Sequence, residues 1–137
     1  MSTLPTAVVT VTVDAPFAAV AAYLADPSHN HEWATEFFSG PLRPTGAGEY
    51  VADVPMMGGP VRYRQDADPT RGIIDVYLAP EGANFGPPLP VRVVPNGDGA
   101  DVLYVLARFP GTPEEAWQAG LASMRRELGH LKAQLEA

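Results

Sequence analysis

The C-terminal stretch TPEEAWQAGLASMRRELGHLKAQLEA limits most strongly what this chain can become. Trp117, Leu121, Met124, Leu128, Leu131 and Leu135 follow one another at steps of four, three, four, three and four, which places them on one face of a helix. Thr112-Pro113-Glu114-Glu115 supplies a start signal, with Thr112 and Glu115 as a capping box, Pro113 at the first helical position and acids at the positive end of the helix dipole. A helix from about Pro113 to Glu136 is on the order of 36 Å long at 1.5 Å per residue. Its spacing also admits a coiled coil, but the stripe lasts little more than three heptads. Gly120 and Gly129 would each weaken an isolated helix by roughly 1 kcal/mol relative to alanine. The apolar stripe therefore calls for a cover supplied by the rest of the chain.

That cover reads as a sheet. Ala7 to Val13, AVVTVTV, is a half-buried strand, stopped by Asp14-Ala15-Pro16, because proline suits a first helical turn and cannot donate to a ladder. Phe17, Val20, Ala21 and Leu24 then give a short helix, and Asp26-Pro27 caps a second one running through His31, Trp33 and Phe37. From Gly40 to Phe109 no helical stripe appears. Strands are expected at Glu49 to Val54, Val61 to Ala67, Gly72 to Ala79, Leu89 to Val94 and Asp101 to Arg108, with one more short strand around Leu42. The spacers are too short for parallel crossovers, so the hairpins are antiparallel. Fifteen prolines and thirteen glycines punctuate these runs as turns.

At 137 residues and 46% hydrophobic content, the chain suits one domain with one core, residues 1–137. Nine basic against sixteen acidic residues give a net charge of −7, which argues against nucleic acid as a partner. Without cysteine there is no disulfide scaffold, thiolate metal site or cysteine nucleophile. No apolar run is long enough for a membrane span. Met1-Ser2-Thr3-Leu4-Pro5 has no secretory pattern, so the expected location is cytoplasmic.

Strand parity sorts the sheet residues into two sets. Val9, Val11, Val13, Tyr50, Ala52, Val54, Val61, Tyr63, Ile74, Val76, Leu78, Val91 and Val93 share one face, while Thr10, Thr12, Glu49, Asp53, Arg62, Arg64, Asp66, Asp75 and Arg92 share the other. In the last strand both sets are apolar. Asp101 turns its own set outward, which leaves Val102, Tyr104, Leu106 and Arg108 inward. His29, His31, Glu32 and Glu36 are the one cluster of metal-capable side chains, but His29 and His31 fall on different helix faces and His31 and Glu36 are not one turn apart. No metal is expected. Met56-Met57-Gly58-Gly59 and Phe85-Gly86-Pro87-Pro88 read as hairpin connections with apolar plugs, or as the rim of a pocket.

A strand, a D-A-P link, a short helix, then Asp26-Pro27 followed by Trp33, a run of strands and one long terminal helix together resemble the START-like, Bet v 1-like (SRPBCC) superfamily, in its polyketide cyclase/dehydrase-like branch. The resemblance spans essentially the whole chain. It implies an α+β helix-grip fold, a curved antiparallel sheet of about six or seven strands wrapped around the C-terminal helix, with two short helices after the first strand. It also implies a cavity between sheet and helix, for which the candidate lining is Trp33, Phe37, Tyr50, Val54, Tyr63, Val76, Phe85, Tyr104, Trp117, Gly120, Leu121 and Met124.

The expected function is binding of a small, largely hydrophobic ligand, with no cofactor, by a monomer or homodimer. A cyclase or aromatase-like enzyme using the same cavity is the alternative, with Tyr63, Tyr104 and Arg108 as candidate catalytic groups, since a Tyr and Arg pair could polarise a ketone. Arg108 could equally meet an anionic ligand group. A third reading is a protein-interaction adaptor with a filled core. Fold alone does not choose among these.

Overall fold

The structure is a computed structural model describing residues 3–137. Met1 and Ser2, the start of the segment read above for a leader, lie outside the described residues. The strands are β1 (Thr6–Val13), β2 (Arg43–Gly46), β3 (Glu49–Val54), β4 (Gly59–Asp68), β5 (Ile73–Pro80), β6 (Leu89–Asn96) and β7 (Gly99–Ala107). The helices are α1 (Phe17–Ala25), α2 (Asn30–Trp33) and α3 (Glu114–Glu136). All seven strands form one antiparallel sheet in the order β1-β7-β6-β5-β4-β3-β2. Successive hairpins build β2 to β7, and β7 comes back to pair with β1. The curved sheet closes on α3, giving the helix-grip α+β fold.

Burial follows the alternation. Val9, Val13, Ala52, Val54, Val61, Tyr63, Ile74, Val76, Val91 and Val93 are buried on the face toward α3. The ambiguous strand resolves the same way: Val102 and Tyr104 are buried, and Asp101 accepts a 2.6 Å hydrogen bond from Thr12 across the outer face. From the helix, Leu121, Leu128 and Leu131 enter the same core. One tight approach holds the sheet to α1. Gly72 has a φ of +69°, and a Cβ there would lie 2.1 Å from the Val93 carbonyl oxygen and 3.0 Å from Phe17. Among the described residues, no helix is long and apolar enough to cross a membrane.

Two local expectations fail for identifiable reasons. Asp26 does cap the second helical segment, accepting from the Ser28 N–H at 3.0 Å. The segment, however, is a 3-10 turn (Pro27–His29) and a four-residue α2 that ends before Phe37. The N–H groups of Glu36 and Phe37 bond instead to the Glu127 carboxylate of α3, each at 3.0 Å, so a tertiary acceptor replaces the helical one. At the start of α3 there is no capping box. Pro113 takes the cap position in an extended conformation without a side-chain cap. The Thr112 carbonyl accepts from Arg108 Nε and Nη2 at 3.1 and 3.0 Å, and Arg108 Nη1 pairs with Glu114.

Candidate functional site

Curvature leaves the sheet and α3 apart over part of their length, and the gap is a cavity of about 510 Å³. Ile74, Val76, Leu78 and Leu89 form its floor, Trp117, Gly120, Leu121 and Met124 its helical roof, and Trp33, Phe37 and Phe38 one wall. Met56 and Phe109 are lining residues that are 73% and 66% exposed, so they mark the open side. The Met56 turn therefore rims the cavity. Gly120 contributes space, because a Cβ built there meets no atom within 4 Å.

Nine of the twelve residues expected to line a cavity come together here: Trp33, Phe37, Tyr63, Val76, Tyr104, Trp117, Gly120, Leu121 and Met124. Three do not. Val54 is buried in the core beyond the cavity, and Tyr50 shares the inner face but packs edge-on against Tyr63. Phe85 is on the opposite side of the sheet, where the Arg62 guanidinium lies 4.3 Å from its ring centroid and Arg64 lies over both Phe85 and Tyr77. Arg62 also bonds Glu49 and the Ala83 carbonyl. These contacts fold the β5–β6 loop back over the outer face, where cations can stack on aromatic rings.

The polar groups of the cavity divide into occupied and free. The Tyr63 hydroxyl donates to Gln65 Oε1 and accepts from Asn30 Nδ2 at 2.6 Å. Gln65 Nε2 in turn donates to the Leu24 and Ala25 carbonyls at 3.2 and 3.3 Å, closing the end of α1. This network ties α1, α2 and β4 together and leaves Tyr63 little capacity for a ligand. Burial pushes the Tyr63 hydroxyl up in pKa, against the hydrogen bond from Asn30. Arg108 lines the cavity, but the bonds at the start of α3 occupy its guanidinium.

Tyr104 is different: it is buried, stands edge-on to Trp33 with ring centroids 5.9 Å apart, and makes no side-chain hydrogen bond among the described residues. Burial first, then the charge of nearby Tyr63 and Glu127, push its pKa well up. Glu127, only 4% exposed, lines the same space. Desolvation raises its carboxyl above the ordinary 4.5, and the two backbone N–H bonds oppose that shift.

Asn30, Gln65 and Glu127 were absent from the sequence-based lining set. Gln65 shares the inward parity of Val61 and Tyr63, and Glu127 follows Gly120 by seven residues and Met124 by three, so both positions were readable from spacing. Polarity masked them. Among the described residues no group of three His, Cys, Asp or Glu side chains is placed to hold a metal ion.

Residues 5–136 match the family described as "Polyketide cyclase / dehydrase and lipid transport". A search of curated proteins finds no match. Among solved structures, the Zhui aromatase/cyclase from Streptomyces sp. R1128 is 21% identical, covering 98% of this chain and 94% of that one, with a TM-score of 0.66. A START superfamily protein from Mycobacterium smegmatis is 16% identical over 96% of this chain and 97% of that one, at a TM-score of 0.68. The Aha1 dimer from Colwellia psychrerythraea is 12% identical over 97% of each chain, at 0.72. At these identities the structures establish likeness of fold. With nearly its whole length matched, the chain belongs to the polyketide cyclase/dehydrase and lipid transport family of the START-like, Bet v 1-like (SRPBCC) superfamily.

Proposed function

We propose that this protein binds a small, largely hydrophobic molecule in the cavity between its sheet and α3. The observation that carries this reading is the cavity itself: about 510 Å³ of space, walled mainly by aliphatic and aromatic side chains and open on one side past Met56 and Phe109. Ligand pockets usually have that size and that apolar lining with a few polar groups. A core filled by its own side chains, as the adaptor reading requires, would leave no such space. The test is native mass spectrometry of the purified protein, followed by organic extraction and mass analysis. The expected result is an apolar adduct at one per chain, or its capture from an added hydrophobic mixture. A protein that stays bare in both experiments overturns the reading.

A second reading, a cyclase or aromatase-like enzyme, is favoured by the unpaired Tyr104 hydroxyl and the Glu127 carboxyl within the same apolar space. Groups with displaced pKa values in a pocket suit proton transfer. Conversion would appear as a released molecule that differs in mass from the one loaded.

A further inference from the structure

The polar end of the cavity is specific about what it leaves open. Glu127 Oε2 receives the N–H groups of Glu36 and Phe37 at 3.0 Å each. Its second oxygen, Oε1, has no hydrogen-bond partner among the described residues and belongs to a side chain that lines the cavity. The Tyr104 hydroxyl is unpartnered in the same way, and its side chain, edge-on to Trp33, lines the same cavity. Three other polar atoms without partners are sealed by surrounding atoms: Trp33 Nε1, His31 Nδ1 and, on the outer face of the sheet, Arg64 Nε. Tyr63 and Arg108 are occupied by the fold. Ser123 is committed to Glu36, and the Thr112 hydroxyl lies at the open side beside the exposed Phe109. Away from that opening, one carboxyl oxygen and one phenol remain, set in apolar walls.

Resting on the ligand-binding reading above, we propose that Glu127 Oε1 and the Tyr104 hydroxyl together form a seat for the hydroxyl of a neutral, otherwise apolar ligand. A hydroxyl can accept from Tyr104 and donate to an ionised Glu127, or accept from Glu127 when that group is protonated, so it fits in either state. A pure hydrocarbon leaves two buried polar groups unpaired, which is unfavourable. A ligand carboxylate brings a second negative charge beside Glu127 among apolar walls or forces a proton to be taken up. Arg108, the one guanidinium in the lining, already has Glu114 as its counter-ion.

A matched trio of fused-ring probes tests this: 2-naphthol, 2-methylnaphthalene and 2-naphthoate, titrated calorimetrically near pH 7 into the full-length protein. The wild type should bind 2-naphthol about tenfold more tightly than 2-methylnaphthalene, and 2-naphthoate at least about tenfold more weakly than 2-naphthol. In Glu127→Gln the amide oxygen stays on the two backbone N–H groups and an N–H faces the cavity. Binding of 2-naphthoate should then strengthen by about tenfold. Tyr104→Phe should weaken 2-naphthol by about fivefold and leave 2-methylnaphthalene within about twofold. The wild-type comparison needs no variant, so it holds if either substitution impairs folding. If the hydrocarbon binds and 2-naphthol has no advantage, or 2-naphthoate binds best, the hydroxyl seat is wrong and the cavity reading stands. If none of the three binds, the cavity reading fails and the seat with it.

Discussion

At Gly120 helix propensity and cavity volume conflict. The residue sits in the middle of α3, where glycine is unfavourable, yet a Cβ there would point into open space between helix and sheet. Gly120→Ala should raise stability by on the order of 0.5 to 1 kcal/mol, read as a higher urea midpoint at unchanged slope. Gly120→Phe should fold and lose capture of hydrophobic ligands by filling the space; retained capture would mean that ligands sit elsewhere. Gly72 is the opposite case, since its positive φ and the Val93 carbonyl 2.1 Å from a built Cβ leave no room. Gly72→Ala should destabilise by about 2 kcal/mol or more, measured by the same denaturation. The sequence placed Gly72 at the start of a strand, but the approach of Val93 is a tertiary fact. Likewise Phe85 looked like a lining residue because it is aromatic and sits in an apolar turn that could rim a pocket. Its position is decided by Arg62 and Arg64, which parity had already placed on the outer face.

The elements follow from patterns that a sequence carries locally, and their errors fall where a distant partner intervenes. Alternation located the strands, and the four-three stripe located α3, because one buried face leaves one admissible register. The stop of α2 before Phe37 was not readable, since its cause is Glu127, ninety residues away from Phe37 along the chain. That carboxylate, with Glu36 bonded to Arg126 and Ser123, fastens the cavity wall at residues 33–38 to α3. Leu128, 1% exposed, lies one residue beyond Glu127 in the core contact of α3. Leu128→Ala should cost about 2 to 5 kcal/mol by chemical denaturation; a loss below about 0.5 kcal/mol would mean that the helix does not pack on the sheet. Asp75→Ala, on the outer face, should change stability by less than about 1 kcal/mol. Its 2.9 Å pair with Arg92 is partly solvated.

For the molecule as a whole, an acidic chain with a hollow core should depend on pH in two opposing ways. Arg126 and Ser123 hold the Glu36 carboxyl down at about 2; that contribution is present above the ordinary 4.5 and is lost as pH falls toward 2. Asp26, Asp53, Asp101 and Glu136 are also held low, by their hydrogen-bond partners, and act in the same direction. Glu127 runs the other way. Burial raises its carboxyl, with Glu36 adding to the rise and His130 and the two backbone N–H groups opposing it. The folded state therefore holds the Glu127 proton more firmly than the unfolded chain does. This contribution is complete below the ordinary 4.5 and is lost as pH rises through the elevated value. Glu127→Gln removes only this opposing component. Comparing denaturation midpoints of the two proteins from pH 7 down to pH 4, the difference should shift progressively toward the wild type on acidification. A difference that stays constant would place Glu127 in solvent-like surroundings and remove the reason for an ionisable group at the wall of an apolar cavity.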